Sequence, residues 1–179
     1  MLAFVLSNLV GLARQVLAAT AFGTGADMEA FNAANRVSET LFNLVAGGAL
    51  ASAFIPAFTT LTTRGDAPRA WRLASAVANL VTAILVLLSA LVAIFAPWIV
   101  EHILAPGFAS SPEKMTLTVD LLRLMLPSTI IFGLSGLVMG VLNSNQVFFA
   151  PAVAPAMYQA GLIFGIVVLA PRIGIHGLA

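Results

Sequence analysis

Apolar residues run through this chain in long blocks, and short polar intervals divide it into helical spans. No charged side chain occurs from Leu73 to Val100, and none from Leu124 to Pro171. Each run exceeds the ~20 residues that cross the hydrocarbon core of a bilayer as a helix. The pattern predicts a first helix over about Leu2–Phe22, closed by Gly23-Thr24-Gly25. A second runs from about Met28 to Thr62, with Asp27 placed to cap it. Arg64 to Arg69 reads as an aqueous loop, and a third helix covers about Trp71–Leu104, bent near one end by Pro97. Pro112 opens a fourth helix to about Leu142, followed by the polar turn Asn143-Ser144-Asn145-Gln146. The fifth covers about Phe149–Leu169 and is broken by Pro171-Arg172. Residues from about Ile173 read as the start of a sixth, so the chain reads as a fragment of a larger bundle. The expected fold is all-α, a polytopic membrane helix bundle.

Composition sharpens this. Hydrophobic residues make up 60% of the chain, charged residues only 8%, and mean hydropathy is +1.04. A soluble domain carries about 25% charged residues, so this chain lacks the polar surface to sit in water. A net charge of +1 provides no field for nucleic acid. The absence of cysteine excludes disulfides, thiolate catalysis and cysteine-ligated metals. His102 and His176 both fall near predicted helix ends and read as interfacial residues. There is no nucleophile–base pair, phosphate-binding glycine loop or metal-ligand spacing, so neither an enzyme nor a cofactor is expected. The N-terminus lacks the basic segment of a cleavable signal peptide. Arg64, Arg69 and Arg72 cluster between the second and third helices, whereas the 1–2 turn is acidic and the 3–4 loop has only Lys114. The positive-inside rule therefore puts that arginine cluster, and the N-terminus with it, in the cytoplasm.

Candidate chemistry lies on the first two helices. At about 100° per residue, Glu29, Asn32, Arg36, Glu39, Thr40, Asn43 and Gly47 share roughly a quarter to a third of the second helix's circumference. Ala30, Val37, Leu41 and Leu44 lie opposite. Ser7, Asn8, Gly11, Arg14 and Gln15 share one side of the first helix. A charge facing lipid at the bilayer centre costs about 2.5–3.5 kcal/mol, so Arg14 and Arg36 must face protein or a water-filled cavity. Two readings follow. Either arginine pairs with Glu29 or Glu39 as an internal clamp, or the stripe is a net cationic lining for an anionic substrate. The stripe's length favours the lining. Asp120 and Arg123 read as an intrahelical pair, and Gly133, Gly136 and Gly140 as sites of close helix approach.

Ser7-Asn8-Leu9-Val10-Gly11-Leu12-Ala13-Arg14 and, after it, Phe22-Gly23-Thr24-Gly25 with Glu29-Ala30-Phe31 resemble the first-helix motif and 1–2 turn of the MurJ (MviN) lipid II flippase family. Gly47-Gly48-Ala49-Leu50-Ala51-Ser52-Ala53-Phe54-Ile55-Pro56 resembles its main signature. Gly140-Val141-Leu142-Asn143, Phe148 and Pro151-Ala152-Val153-Ala154-Pro155 resemble its 4–5 junction. The resemblance implies most of the N-terminal bundle of a multidrug/oligosaccharidyl-lipid/polysaccharide exporter (MATE-like) transporter, with the C-terminal bundle missing. It also implies alternating-access export of a lipid-linked anionic substrate, an undecaprenyl-diphosphate glycan, across the bacterial cytoplasmic membrane for cell-wall synthesis. Arg14, Glu29 and Arg36 fall on positions the resemblance implies are functional, and with Asn8, Asn32 and Asn43 of the polar stripes they make up the expected substrate-binding set, with membrane lipids as surroundings. Asn8, Gln15, Phe42 and Gly47 depart from the family's charged pattern. These departures keep open a flippase for another lipid-linked polysaccharide, beside a cation-coupled drug exporter or a non-transporting scaffold.

Overall fold

The computed structural model describes the backbone of residues 2–23, 25–43 and 53–179, with side chains in those ranges except at positions 2–9, 42, 109 and 110. The helices are α1 Leu2–Phe22, α2 Ala26–Phe42, α3 Ile55–Thr63, α4 Ala67–Ile99, α5 Pro112–Ser144, α6 Phe149–Phe164 and the short α7 Ala170–Ile173. Wider π turns prolong α4 through Val100–Leu104 and join α6 to α7 through Gly165–Leu169. Tighter 3-10 turns occupy Pro106–Ser110 and Gly174–Leu178. No strand occurs among the described residues. Three continuous stretches, Ala67–Leu104, Pro112–Ser144 and Phe149–Leu178, are long and apolar enough to cross a membrane. The membrane helix bundle expected from the apolar blocks is the fold observed.

Several boundaries differ from the sequence reading for local reasons. Gly25, not Asp27, is the N-cap of α2, and Asp27 lies inside the first turn. There its charge favours the positive end of the helix dipole without making a cap. The predicted helix from Met28 to Thr62 is represented at its ends by α2 and α3, while residues 44–52, with most of the Gly47-to-Pro56 signature, lie outside the described residues. α4 starts at Ala67 rather than Trp71 because Asp66 accepts a hydrogen bond from the Arg69 N–H at 3.2 Å and Pro68 fills the first turn. Arg69 and Arg72 therefore stand on the first turns of α4 instead of in a loop. α5 continues to Ser144, two residues past the expected end. Pro171 does not end the fifth helical stretch, since it occupies the first turn of α7. The chain leaves that helix at Gly174, whose φ of +62° suits glycine.

Packing sorts the described helices into two layers. α2 and α4 lie mainly against α5, with α3 against both α4 and α5. α1 lies mainly against α6, and lighter contact between α5 and α6 joins the layers. In lipid there is little hydrophobic drive between helices, so close van der Waals approach must hold them together. At Gly133 a β-carbon would collide with Cδ1 of the fully buried Leu85, and at Gly140 it would lie 3.4 Å from Cγ1 of Ile55. Both glycines thus mark the close approaches expected of them.

A further bond joins α4 to α5 across a defect. Pro97 has no N–H, so the Ala93 carbonyl four residues earlier loses its helical donor. Nε of Arg123, on α5, donates to that carbonyl oxygen at 3.1 Å. Arg123 and Asp120 do not form the intrahelical ion pair expected between them; instead, the arginine repairs the neighbouring helix. Replacing Arg123 with leucine should cost about 1 kcal/mol, the scale of interhelical hydrogen bonds in membranes. The loss should shrink in a Pro97→Ala background, where the helix supplies its own donor. Thermal melting in detergent of the two single variants and the double variant measures this. Equal losses in both backgrounds would detach Arg123 from the proline defect.

Candidate functional site

α2 sets up the site through its two faces. Ala30, Phe31, Ala34, Ser38 and Leu41 are buried, at spacings that keep one side of the helix against α5. Glu29, Asn32, Arg36, Glu39, Thr40 and Asn43 are exposed. The predicted polar stripe is therefore the uncovered face of this helix. On α1, Ala18 is buried and Arg14 half-buried. Gly11 brings α1 close to α6, where its β-carbon would lie 3.5 Å from Nε2 of Gln159.

Two cavities lie along the seam between the layers. The smaller, about 310 Å³, is walled by Arg14 and Gln15 of α1, Phe31 and Asn32 of α2, and closed by Leu162 and Leu178. Arg14 Nε is buried without a hydrogen-bond partner, as is Oε1 of Gln159. Leaving such a group unpaired costs about 1–3 kcal/mol, more when it is charged. Arg14 thus brings unmet donor capacity to the edge of a cavity. The larger cavity, about 620 Å³, lies between α2, α5 and α6 and is lined by Asn35, Ser38, Glu39, Ser128, Phe132 and Tyr158, among others. Asn35 Nδ2 donates to Glu39 Oε1 at 2.8 Å, holding the carboxylate. Tyr158 meets Phe132 edge-on, with ring centroids 5.1 Å apart.

The sequence-predicted residues divide accordingly. Arg14 and Asn32 come together in the smaller cavity. Glu29 lines neither cavity; its carboxylate pairs with Lys114 Nζ near the start of α5, and that ammonium also sits 4.1 Å from the Phe108 ring centroid. Neither arginine forms the clamp envisaged with Glu29 or Glu39, because those carboxylates are taken by Lys114 and Asn35. Arg36 and Asn43 are exposed and line neither of these cavities. The side chains of Asn8 and Phe42, and all of Gly47, lie outside the described residues. Asn35 and Tyr158 carry no role in the sequence reading, and Lys114 enters it only as the basic residue of the 3–4 loop. Asn35 stands four residues before Glu39, a spacing that brings helical side chains together. Tyr158 is the only tyrosine in the chain and adjoins Gln159, so its position in an apolar span was the available signal.

Long apolar helices packed side by side define a polytopic membrane helix bundle. The description "Lipid II flippase MurJ" matches residues 18–179. The chain is 36% identical over 157 residues to the probable lipid II flippase MurJ of Rhizobium meliloti, an overlap of 88% of this chain and 29% of that protein. Against the lipid II flippase MurJ of Burkholderia cenocepacia it is 32% identical over 177 residues, covering 98% and 34% respectively. This chain belongs to the lipid II flippase MurJ family. It spans about a third of the length of the curated relatives it matches.

Proposed function

We propose that the full-length protein carries lipid II, the lipid-linked peptidoglycan precursor, from the inner to the outer leaflet of the bacterial cytoplasmic membrane by alternating access. The observation that carries this reading is Arg14, a half-buried guanidinium with an unpartnered Nε beside a cavity it shares with Asn32 and Gln15. A guanidinium fork suits diphosphate oxygens because it makes two charge-assisted hydrogen bonds in one plane. Arg36 and Asn43 lie on the same exposed polar face of α2 as Asn32 and would extend the lining toward the rest of the protein. Glu29 acts through Lys114, holding α2 against α5, and is a positioning residue rather than a ligand. The arginines at positions 64, 69 and 72 support a cytoplasmic N-terminus. The C-terminal bundle would supply the facing half of the cavity, since alternating access needs two units that rock against each other.

Complementation tests the reading. Bacteria depleted of their own lipid II flippase should recover growth and shape when the full-length parent is expressed and inserted. Failure by a well-inserted protein would shift the substrate to another lipid-linked glycan. One observation favours that second reading: Gln15, which stands where the family carries an acidic residue, lines the Arg14 cavity.

A further inference from the structure

We propose that the larger cavity is a separate subsite for a positively charged amine on the substrate's head group, with Glu39 as the counter-ion. This rests on the lipid II reading and extends it. The two cavities differ in charge, since Arg14 lines the smaller and no cationic side chain lines the larger. Glu39 enters no ion pair among the described residues, and its hydrogen bond from Asn35 leaves its charge uncompensated. It lies 13 residues into α2 from Ala26, roughly 20 Å along the helix at 1.5 Å per residue, on the wall of the larger cavity, where an unpaired carboxylate attracts a cationic partner.

A second unmet group faces the same ligand chemistry. Ser38, only 8% exposed, lines this cavity, and its Oγ has no hydrogen-bond partner. Tyr158 contributes a phenolic oxygen from α6. An ammonium group offers three donors and one positive charge, matching the oxygens of Ser38 and Tyr158 and the carboxylate of Glu39. A diphosphate would be repelled, and a neutral sugar hydroxyl would leave the charge of Glu39 unanswered. A partly open space of about 620 Å³ falls within the ~300–1,000 Å³ of small-molecule sites. It is wide for a bare metal ion, which needs oxygens close around it. A peptidoglycan precursor carries peptide as well as sugar and diphosphate, so a free peptide amine supplies this chemistry while the diphosphate meets Arg14.

Reconstituted full-length protein separates the outcomes. Transport of a precursor with a free peptide amine would be compared with its N-acetylated form, in wild type and in Glu39→Gln, which keeps the shape of the side chain. Wild type should move the free-amine substrate about tenfold faster, the value of one ion pair near 1.4 kcal/mol, and Glu39→Gln should move both at the slower rate. Equal wild-type rates, or a preference that survives Glu39→Gln, would overturn the proposal. So would sodium-dependent transport that Glu39→Gln abolishes without any amine preference, since the cavity would then hold a free cation. If inserted wild type moved neither substrate, the lipid II reading would fail and take this proposal with it, an outcome distinct from a missing preference.

Discussion

In the full-length protein, Arg14→Ala is expected to reduce lipid II transport more than a hundredfold while leaving membrane insertion intact. Two charge-assisted hydrogen bonds to diphosphate oxygens are worth about 1.5–3 kcal/mol each, and ~2.8 kcal/mol is already a factor of a hundred. Stability should move the other way. Arg14 Nε is buried with no partner, so removing it relieves an unsatisfied donor, and the melting temperature should hold or rise. Falling activity with unchanged or higher stability is the signature of a group kept for function. Arg14→Lys should lie between wild type and alanine, because lysine restores charge without the planar fork. Unimpaired transport by inserted Arg14→Ala would remove this residue from the mechanism.

A charge swap at the N-terminal ends of α2 and α5 should give the second largest effect. Lys114 lies in the first turn of α5, where a cation opposes the helix dipole. Its placement is explained by Glu29 and Phe108, which it meets across the helix boundary. Glu29 is 55% exposed and Lys114 18%, so the pair itself is worth only about 1 kcal/mol. Lys114→Glu adds like-charge repulsion and forfeits the aromatic contact, another ~1 kcal/mol. Each reversal alone should therefore lower the melting temperature and impair transport, and the double swap Glu29→Lys with Lys114→Glu should recover most of both. Recovered stability without recovered transport would mean that Glu29 touches substrate after all.

These contacts show where sequence reasoning reaches and where it stops. The spans from Ala67 and from Pro112 were legible because a bilayer demands long uncharged runs, and the stripe on α2 because helical periodicity exposes it. The start of α4 was also written locally, in Asp66-Ala67-Pro68, but arginines on both sides made the segment look like a loop. Arg123 was misassigned because the nearest acid in sequence is three residues away, while its acceptor lies 30 residues away on another helix. The partner of Glu29 is 85 residues distant. No periodicity encodes such pairings, since they depend on which helix faces which. Tyr158 joined the site for the same reason, through the packing of α6 against α5.

The two-layer arrangement also bears on how the chain is made. α1 is synthesised well before its main packing partner, α6, which begins only at Phe149. At ~5–20 residues per second, roughly 130 intervening residues occupy a ribosome for about 6–25 s. During that interval the nascent first helix rests in lipid with Arg14 uncovered, and the insertion machinery must hold it there. Chains stalled before Phe149 therefore leave α1 without its main packing partner.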